Sequence, residues 1–181
     1  MFYRDRRDMG ALNAQNVPGS RSIMPPSLLF DLSQIDLTIK PVFDKEAIGK
    51  VNPQRFEMQH LDGILWYDKK KFLILGYKDV TGDEFWVRGH IPGRPLMPGV
   101  IMVEAAAQLL SFFVKQIYGL DAFIGFVGID STKFRSVVAP GQRLYLLGHL
   151  TKYGRRKYTA NVQGVVEGTM VFETIVSGTK V

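Results

Sequence analysis

Cysteine is absent from the 181-residue chain. That excludes disulfides, zinc–thiolate centres and cysteine nucleophiles, and it allows a reducing compartment. Long hydrophobic runs are scarce too. The longest, Val100 to Val114, is interrupted by Glu104 and Gln108 and is shorter than the ~20 apolar residues of a spanning helix. The opening "MFYRDRRDMGALNAQNVPGSRSIMPPS" has no apolar signal-peptide core, and Asp5 and Asp8 argue against a transit peptide. The expectation is a soluble, cytoplasmic protein with no membrane span. No G-x-S-x-G, P-loop, Rossmann glycine pattern or H-E-x-x-H occurs, which weakens serine-hydrolase, nucleotide and zinc readings. His60 and His149 have no carboxylate cluster at metal-ligand spacing and read as structural; no metal and no cofactor are expected.

What is present suits one globular domain, since 46% of residues are hydrophobic and 22% charged. The net charge of +6 favours an acidic partner. The basic clusters Lys69-Lys70-Lys71 and Arg155-Arg156-Lys157 lie beside turn signals, so they read as solvated hairpin ends, and no nucleic acid is expected.

Residues 1 to about 27 show no periodicity and read as a loose, partly disordered arm. "LLFDLSQIDLTIKPV", from Leu28, alternates partially and reads as a strand or extended arm. Asp44 is the N-cap of a short helix that Asn52-Pro53 ends. "RFEMQHLDGILWYD" and "KFLILGYKDVT" read as strands of a hairpin around Asp68-Lys69-Lys70. A long helix is predicted with Pro98 as its first residue, ending near Tyr118 at Gly119. Four strands follow, at about Phe123–Val138, Arg143–Tyr153, Lys157–Glu167 and Thr169–Thr179, the last two meeting in a tight turn at Glu167-Gly168. Strand runs beside one long helix indicate an α+β class, with an antiparallel sheet wrapped around a helix that is apolar on nearly every side. The arm is assigned to residues 1–43 and the domain to residues 44–181.

The polar residues of that helix, Glu104, Gln108, Ser111 and Lys115, are spaced four, three and four apart and so share one stripe. The plain explanation is a narrow solvent face, which fits Ser111 and Lys115 well. It fits Glu104 less well, because bulky apolar residues flank it. Such surroundings disfavour the anion, which suits a proton donor. Gly99 and Val100 lie at the helix start, where N–H groups lack helical partners and the dipole is positive, a setting for a developing oxyanion. His90 precedes this loop. A histidine base, a carboxylic acid and an oxyanion site together suit removal of a proton next to a thioester carbonyl with loss of a β-hydroxyl.

The segment "GHIPGRPLMPGVIMVEAAAQ", Gly89 to Gln108, resembles the active-site segment of β-hydroxyacyl-acyl-carrier-protein dehydratases of the FabZ type, GHFPGRPxMPGVxxxEAxAQ. "GIDSTKFRSVVAPGQRL" and "KDVT" resemble further family segments, and "NPQRFEMQHLDGIL" is a degraded form of another. The resemblance runs from about Asp44 to the C-terminus. It implies the hot-dog fold and dehydration of (3R)-hydroxyacyl carrier protein to the trans-2-enoyl thioester in fatty acid biosynthesis. It also implies that His90 is the base, Glu104 the acid, Gly99 the thioester-oxygen donor and Gln108 the support of Glu104. Glutamate at 104, where isomerising FabA-type relatives carry aspartate, implies dehydration without isomerisation. His90 and Glu104 of one site would come from different subunits of a homodimer, with a trimer of dimers as the larger assembly. An acidic acyl carrier protein would dock, with Arg94, Lys133, Arg135 and Arg143 as candidate contacts. Ile91 departs from the family's phenylalanine. Gln54, Glu57, Gln59 and His60 depart from its histidine, proline and paired leucines, at positions expected to pack at the sheet edge or subunit contact. The competing readings are a hot-dog thioesterase and a non-catalytic carrier-protein-binding subunit.

Overall fold

The computed structural model describes residues 27–181; the expectation of a loose arm over residues 1–26 lies outside them. Strand β1 (Phe43–Asp44) leads directly into helix α1 (Lys45–Val51). The Asp44 carboxylate accepts the Ala47 N–H at 2.9 Å, the expected N-cap. Asn52, extended at ψ 142°, ends the helix before Pro53.

Strand β2 (Gly63–Asp68) and strand β3 (Leu73–Asp79) form the expected hairpin. The predicted first strand is too long, however. Residues 52–62 are a loop with one 3-10 turn, Phe56–Met58, because their polar side chains bind the central helix instead of joining a sheet. Helix α2 spans Gly99–Phe112 and continues through a wider π-type turn, Phe113–Ile117. Gly119, at φ +71°, follows its end. Strands β4 (Ile124–Phe134), β5 (Arg143–Tyr153), β6 (Lys157–Val166) and β7 (Thr169–Lys180) complete the chain. Glu167 and Gly168 both have positive φ, 49° and 75°, as a two-residue hairpin turn of matching twist requires.

The seven strands form one antiparallel sheet in the order β1-β2-β3-β5-β6-β7-β4. Its concave face holds α2, and the main core joins Leu109, Phe112 and Phe113 of the helix to Ile74, Leu144, Leu146, Val162 and Phe172 of the strands. Gly76 on β3 lets the helix come close: a Cβ there would lie 2.8 Å from the Leu109 side chain. By length and mean hydropathy (1.5), Gly99–Ile117 could cross a membrane, but 67% of that apolar stretch is buried inside the protein, where the sheet takes up its apolar surface.

The outer face of the sheet is apolar as well. Leu65, Leu75, Tyr77, Leu147 and Val165 form a second cluster there, covered by Leu28, Leu29, Phe30, Leu32, Ile35 and Leu37. Gln163 anchors this stretch, accepting the Leu29 N–H at 2.7 Å and donating to the Ser27 carbonyl at 3.1 Å. Leu28 to Val42 is thus an extended arm on the sheet surface. It contains no strand, only the 3-10 turn Leu32–Gln34.

Candidate active site

The polar stripe of α2 is not a solvent face. Gln108 and Ser111 are buried and Glu104 and Lys115 half-buried, because residues 51–60 lie across them. Lys115 donates to the Val51 carbonyl at 2.6 Å, where α1 ends with free carbonyls. Gln108 is satisfied at both ends of its amide. Its oxygen accepts the His60 N–H at 2.9 Å, and its nitrogen donates to the Met58 carbonyl at 2.7 Å and to Glu104 Oε1 at 2.8 Å. Asn52 in turn donates to the Gln108 carbonyl at 2.9 Å. Gln108 thus hydrogen-bonds to Glu104, and the altered segment, expected at the sheet edge or subunit contact, also sits against these two residues.

Gln54, named in the sequence only as a departure expected at the sheet edge or subunit contact, reaches Glu104. Its amide nitrogen lies 3.3 Å from Glu104 Oε1. The signal was a polar residue at a position fifty before a half-buried carboxylate, which no local pattern connects. Glu104 lines a pocket of ≈ 300 Å³ together with Gln54, Ala107, Ser111, Phe123 and Phe126. A lining of a few polar groups among apolar side chains suits an acyl chain.

At the helix start Pro98 is the residue before the first turn, extended at ψ 135°, and not the first helical residue as predicted. Its carbonyl accepts the Ile101 and Met102 N–H groups at 2.9 and 3.3 Å. The N–H groups of Gly99 and Val100 precede these and have no partner within the helix. A Cβ on Gly99 would meet the Phe134 ring at 2.6 Å, so only glycine lets that ring lie over the helix start.

His90 is exposed on the loop before α2. Its Nδ1 lies 2.8 Å from the Leu96 carbonyl. A carbonyl only accepts, so Nδ1 carries a proton, and in the neutral ring Nε2 is then the nitrogen with the lone pair. The loop is held by the His90 N–H to the Trp86 carbonyl at 2.7 Å and the Leu96 N–H to the His90 carbonyl at 3.0 Å. Earlier in the chain, buried Lys78 pairs with Glu84 at 2.7 Å. Among the described residues His90 neither lines the Glu104 pocket nor bonds to Glu104.

The four candidate docking cations differ. Arg143 is committed within the chain, bidentate to Asp79 at 2.6 and 2.8 Å and stacked 4.2 Å over the Tyr77 ring; the Asp79 hydrogen bonds raise its pKa further. Arg135 pairs with Glu173, and exposed Lys133 stands 3.9 Å from the same carboxylate. Arg94 is exposed on the His90 loop, with its N–H bonded to the Ile91 carbonyl at 2.9 Å. Buried His60, next to the Lys78 cluster, has a pKa lowered to about 4 by burial and then by the Lys78 charge. Neither of its ring nitrogens has a partner among the described residues. His149 lies on β5, half-buried.

Known proteins agree with this architecture. The FabA-like domain family matches residues 52–175. The chain is 36% identical to a 3-hydroxyacyl-[acyl-carrier-protein] dehydratase FabZ of Clostridium botulinum over 71% of this chain and 94% of that protein. It is 33% identical to the FabZ of Listeria monocytogenes over 73% and 92%. Among solved structures, the dehydratase heterocomplex ApeI:P of Xenorhabdus doucetiae superposes with a TM-score of 0.62 at 13% identity, covering 74% of this chain and 90% of that one. A putative thioesterase of Silicibacter superposes at 0.56 with 19% identity, covering 77% and 93%. These two share the hot-dog fold with it and, at such identities, fold alone. The sequence matches go further: this chain belongs to the FabA-like family, with FabZ dehydratases among its relatives.

Proposed function

We propose that this chain dehydrates (3R)-3-hydroxyacyl thioesters carried by acyl carrier protein, giving trans-2-enoyl thioesters in cytoplasmic fatty acid biosynthesis. The observation that carries the reading is Glu104, half-buried, with Oε1 held by Gln108 at the edge of an acyl-sized pocket. His90 Nε2 removes the C2 proton. The electron pair of that bond forms C2=C3, and the C3–O bond breaks. Glu104 delivers its proton to the departing hydroxyl, which leaves as water. The Gly99 and Val100 N–H groups hold the thioester oxygen while it carries negative charge.

His90 and Glu104 do not meet within one chain, so two copies make the site. The edge strand β4 exposes Phe126, Val127, Ile129 and Phe134, and an open apolar edge of this kind supports pairing with a second copy. A homodimer is the minimal active unit, and a trimer of dimers the larger assembly. Arg94 and Lys133 are the docking cations this geometry favours for the acidic carrier.

The same fold in a putative thioesterase keeps one competing activity in view. A hydration assay with crotonyl thioester separates the two: the dehydratase adds water across the double bond and releases no free thiol. His90→Ala and Glu104→Gln are each expected to abolish hydration without changing the melting temperature. Full activity in either variant, or thiol release by the unaltered chain, would sink the assignment.

A further inference from the structure

We propose that Gln54 is a positioning residue for Glu104, and that the two amides of Gln54 and Gln108 together leave the transferable proton on Glu104 Oε2. The inference rests on the dehydratase reading of this site. Both amide nitrogens point at the same oxygen: Gln108 Nε2 at 2.8 Å and Gln54 Nε2 at 3.3 Å from Oε1. No hydrogen bond to Oε2 is made among the described residues. An oxygen facing two N–H donors has to act as an acceptor, since an O–H there would set donor against donor. The acid hydrogen therefore belongs on Oε2, the oxygen left to exchange it with substrate.

The two amides are held differently. Gln108 has three further partners through its side chain and backbone and would stay in place without Glu104. Apart from Glu104, Gln54 is held only through its backbone, whose carbonyl accepts from Arg55 Nη1 at 2.7 Å. Its amide oxygen is buried with no partner among the described residues, and its one side-chain hydrogen bond goes to Glu104. A buried amide oxygen left unpaired is costly, and such an exception calls for a reason. Here the other end of the amide reaches the acid, and the residue lines the same pocket as the acid. Gln108 fixes where the carboxyl sits. Gln54 adds the second donor that decides which of its oxygens is the acceptor.

The test is steady-state hydration of crotonyl thioester by the full chain carrying Gln54→Ala, Gln54→His or Gln54→Glu, with thermal melting alongside. Gln54→Ala is expected to lower kcat roughly tenfold, the loss of about one hydrogen bond to a charge-bearing group. KM and the melting temperature should stay near their original values, because the change acts on proton delivery. Gln54→His, which restores an N–H donor, should recover most of the loss. Gln54→Glu, which sets a carboxylate against a carboxyl, should lose more than Gln54→Ala. Unchanged kcat in Gln54→Ala, a loss confined to KM, or no recovery in Gln54→His would overturn the role of Gln54. Glu104→Gln is the control for the parent reading: if it keeps full activity, the proposed reaction fails together with this role, whereas a dead Glu104→Gln beside an unimpaired Gln54→Ala removes Gln54 alone.

Discussion

Gly99, Gln108 and His60 each place a different demand on the site. At Gly99 the obstruction to a side chain is the tip of the Phe134 ring, the far end of a side chain that is half-exposed within the single chain. Gly99→Ala should therefore cost under about 1 kcal/mol of stability, below the range for overpacking a closed core. Its effect on rate should be larger, ~10–100-fold in kcat, because the displaced ring and the added methyl crowd the place proposed for the thioester oxygen. Comparing urea unfolding with kcat separates the two effects. Gln108→Leu should do the opposite. It strips partners from the His60 N–H, the Met58 carbonyl and Glu104, and buried groups left unpaired make a loss of about 3 kcal/mol the expectation in the same unfolding experiment. His60 adds a pH dependence. Its folded pKa of about 4 lies below the ordinary 6.5, so between those values the unfolded chain binds more protons than the folded one. Stability should fall as pH drops through that window, by at most about 3 kcal/mol. In His60→Leu, measured by unfolding at pH 7 and pH 4.5, that component of the slope should be missing.

Among the elements, the arm and the segment before β2 are the ones whose roles differ from what their own sequences suggest. The arm covers a second apolar face of the sheet. A chain truncated before Phe43 would expose Leu65, Leu75, Leu147 and Val165 together, a patch of the kind that drives association. Light scattering should show concentration-dependent aggregation of that truncated form and none of the full chain. Strands β5, β6 and β7 were legible in the sequence to within about one residue, because alternation and turn residues are local signals. The long helix and its Glu104–Gln108 spacing were legible for the same reason. Residues 55–61 were misread as strand because their partner is not a neighbouring strand. They bind a helix that begins some forty residues later, and no local periodicity encodes such a contact. The stripe through Ser111 and Lys115 looked like a solvent face for the same reason: what covers it comes from residues 51–60, far away in sequence.

At the scale of the whole molecule, one chain carries both proposed reacting groups but does not bring them together. His90 stands on an exposed loop, and Glu104 lines a pocket beside an open strand edge that His90 does not line. The sequence resemblance implies a site shared between subunits, and the proposed sharing has a place in the fold: β4 is an edge strand of the sheet and borders the Glu104 pocket. The most direct test of this account is complementation between two dead variants. His90→Ala and Glu104→Gln chains, each inactive alone, are mixed in equal amounts, allowed to exchange subunits and assayed for crotonyl thioester hydration. Random pairing puts one intact His90 opposite one intact Glu104 in half of the dimers, so the account predicts recovery of about a quarter of the unaltered activity. A mixture that exchanges subunits and stays inactive would contradict it.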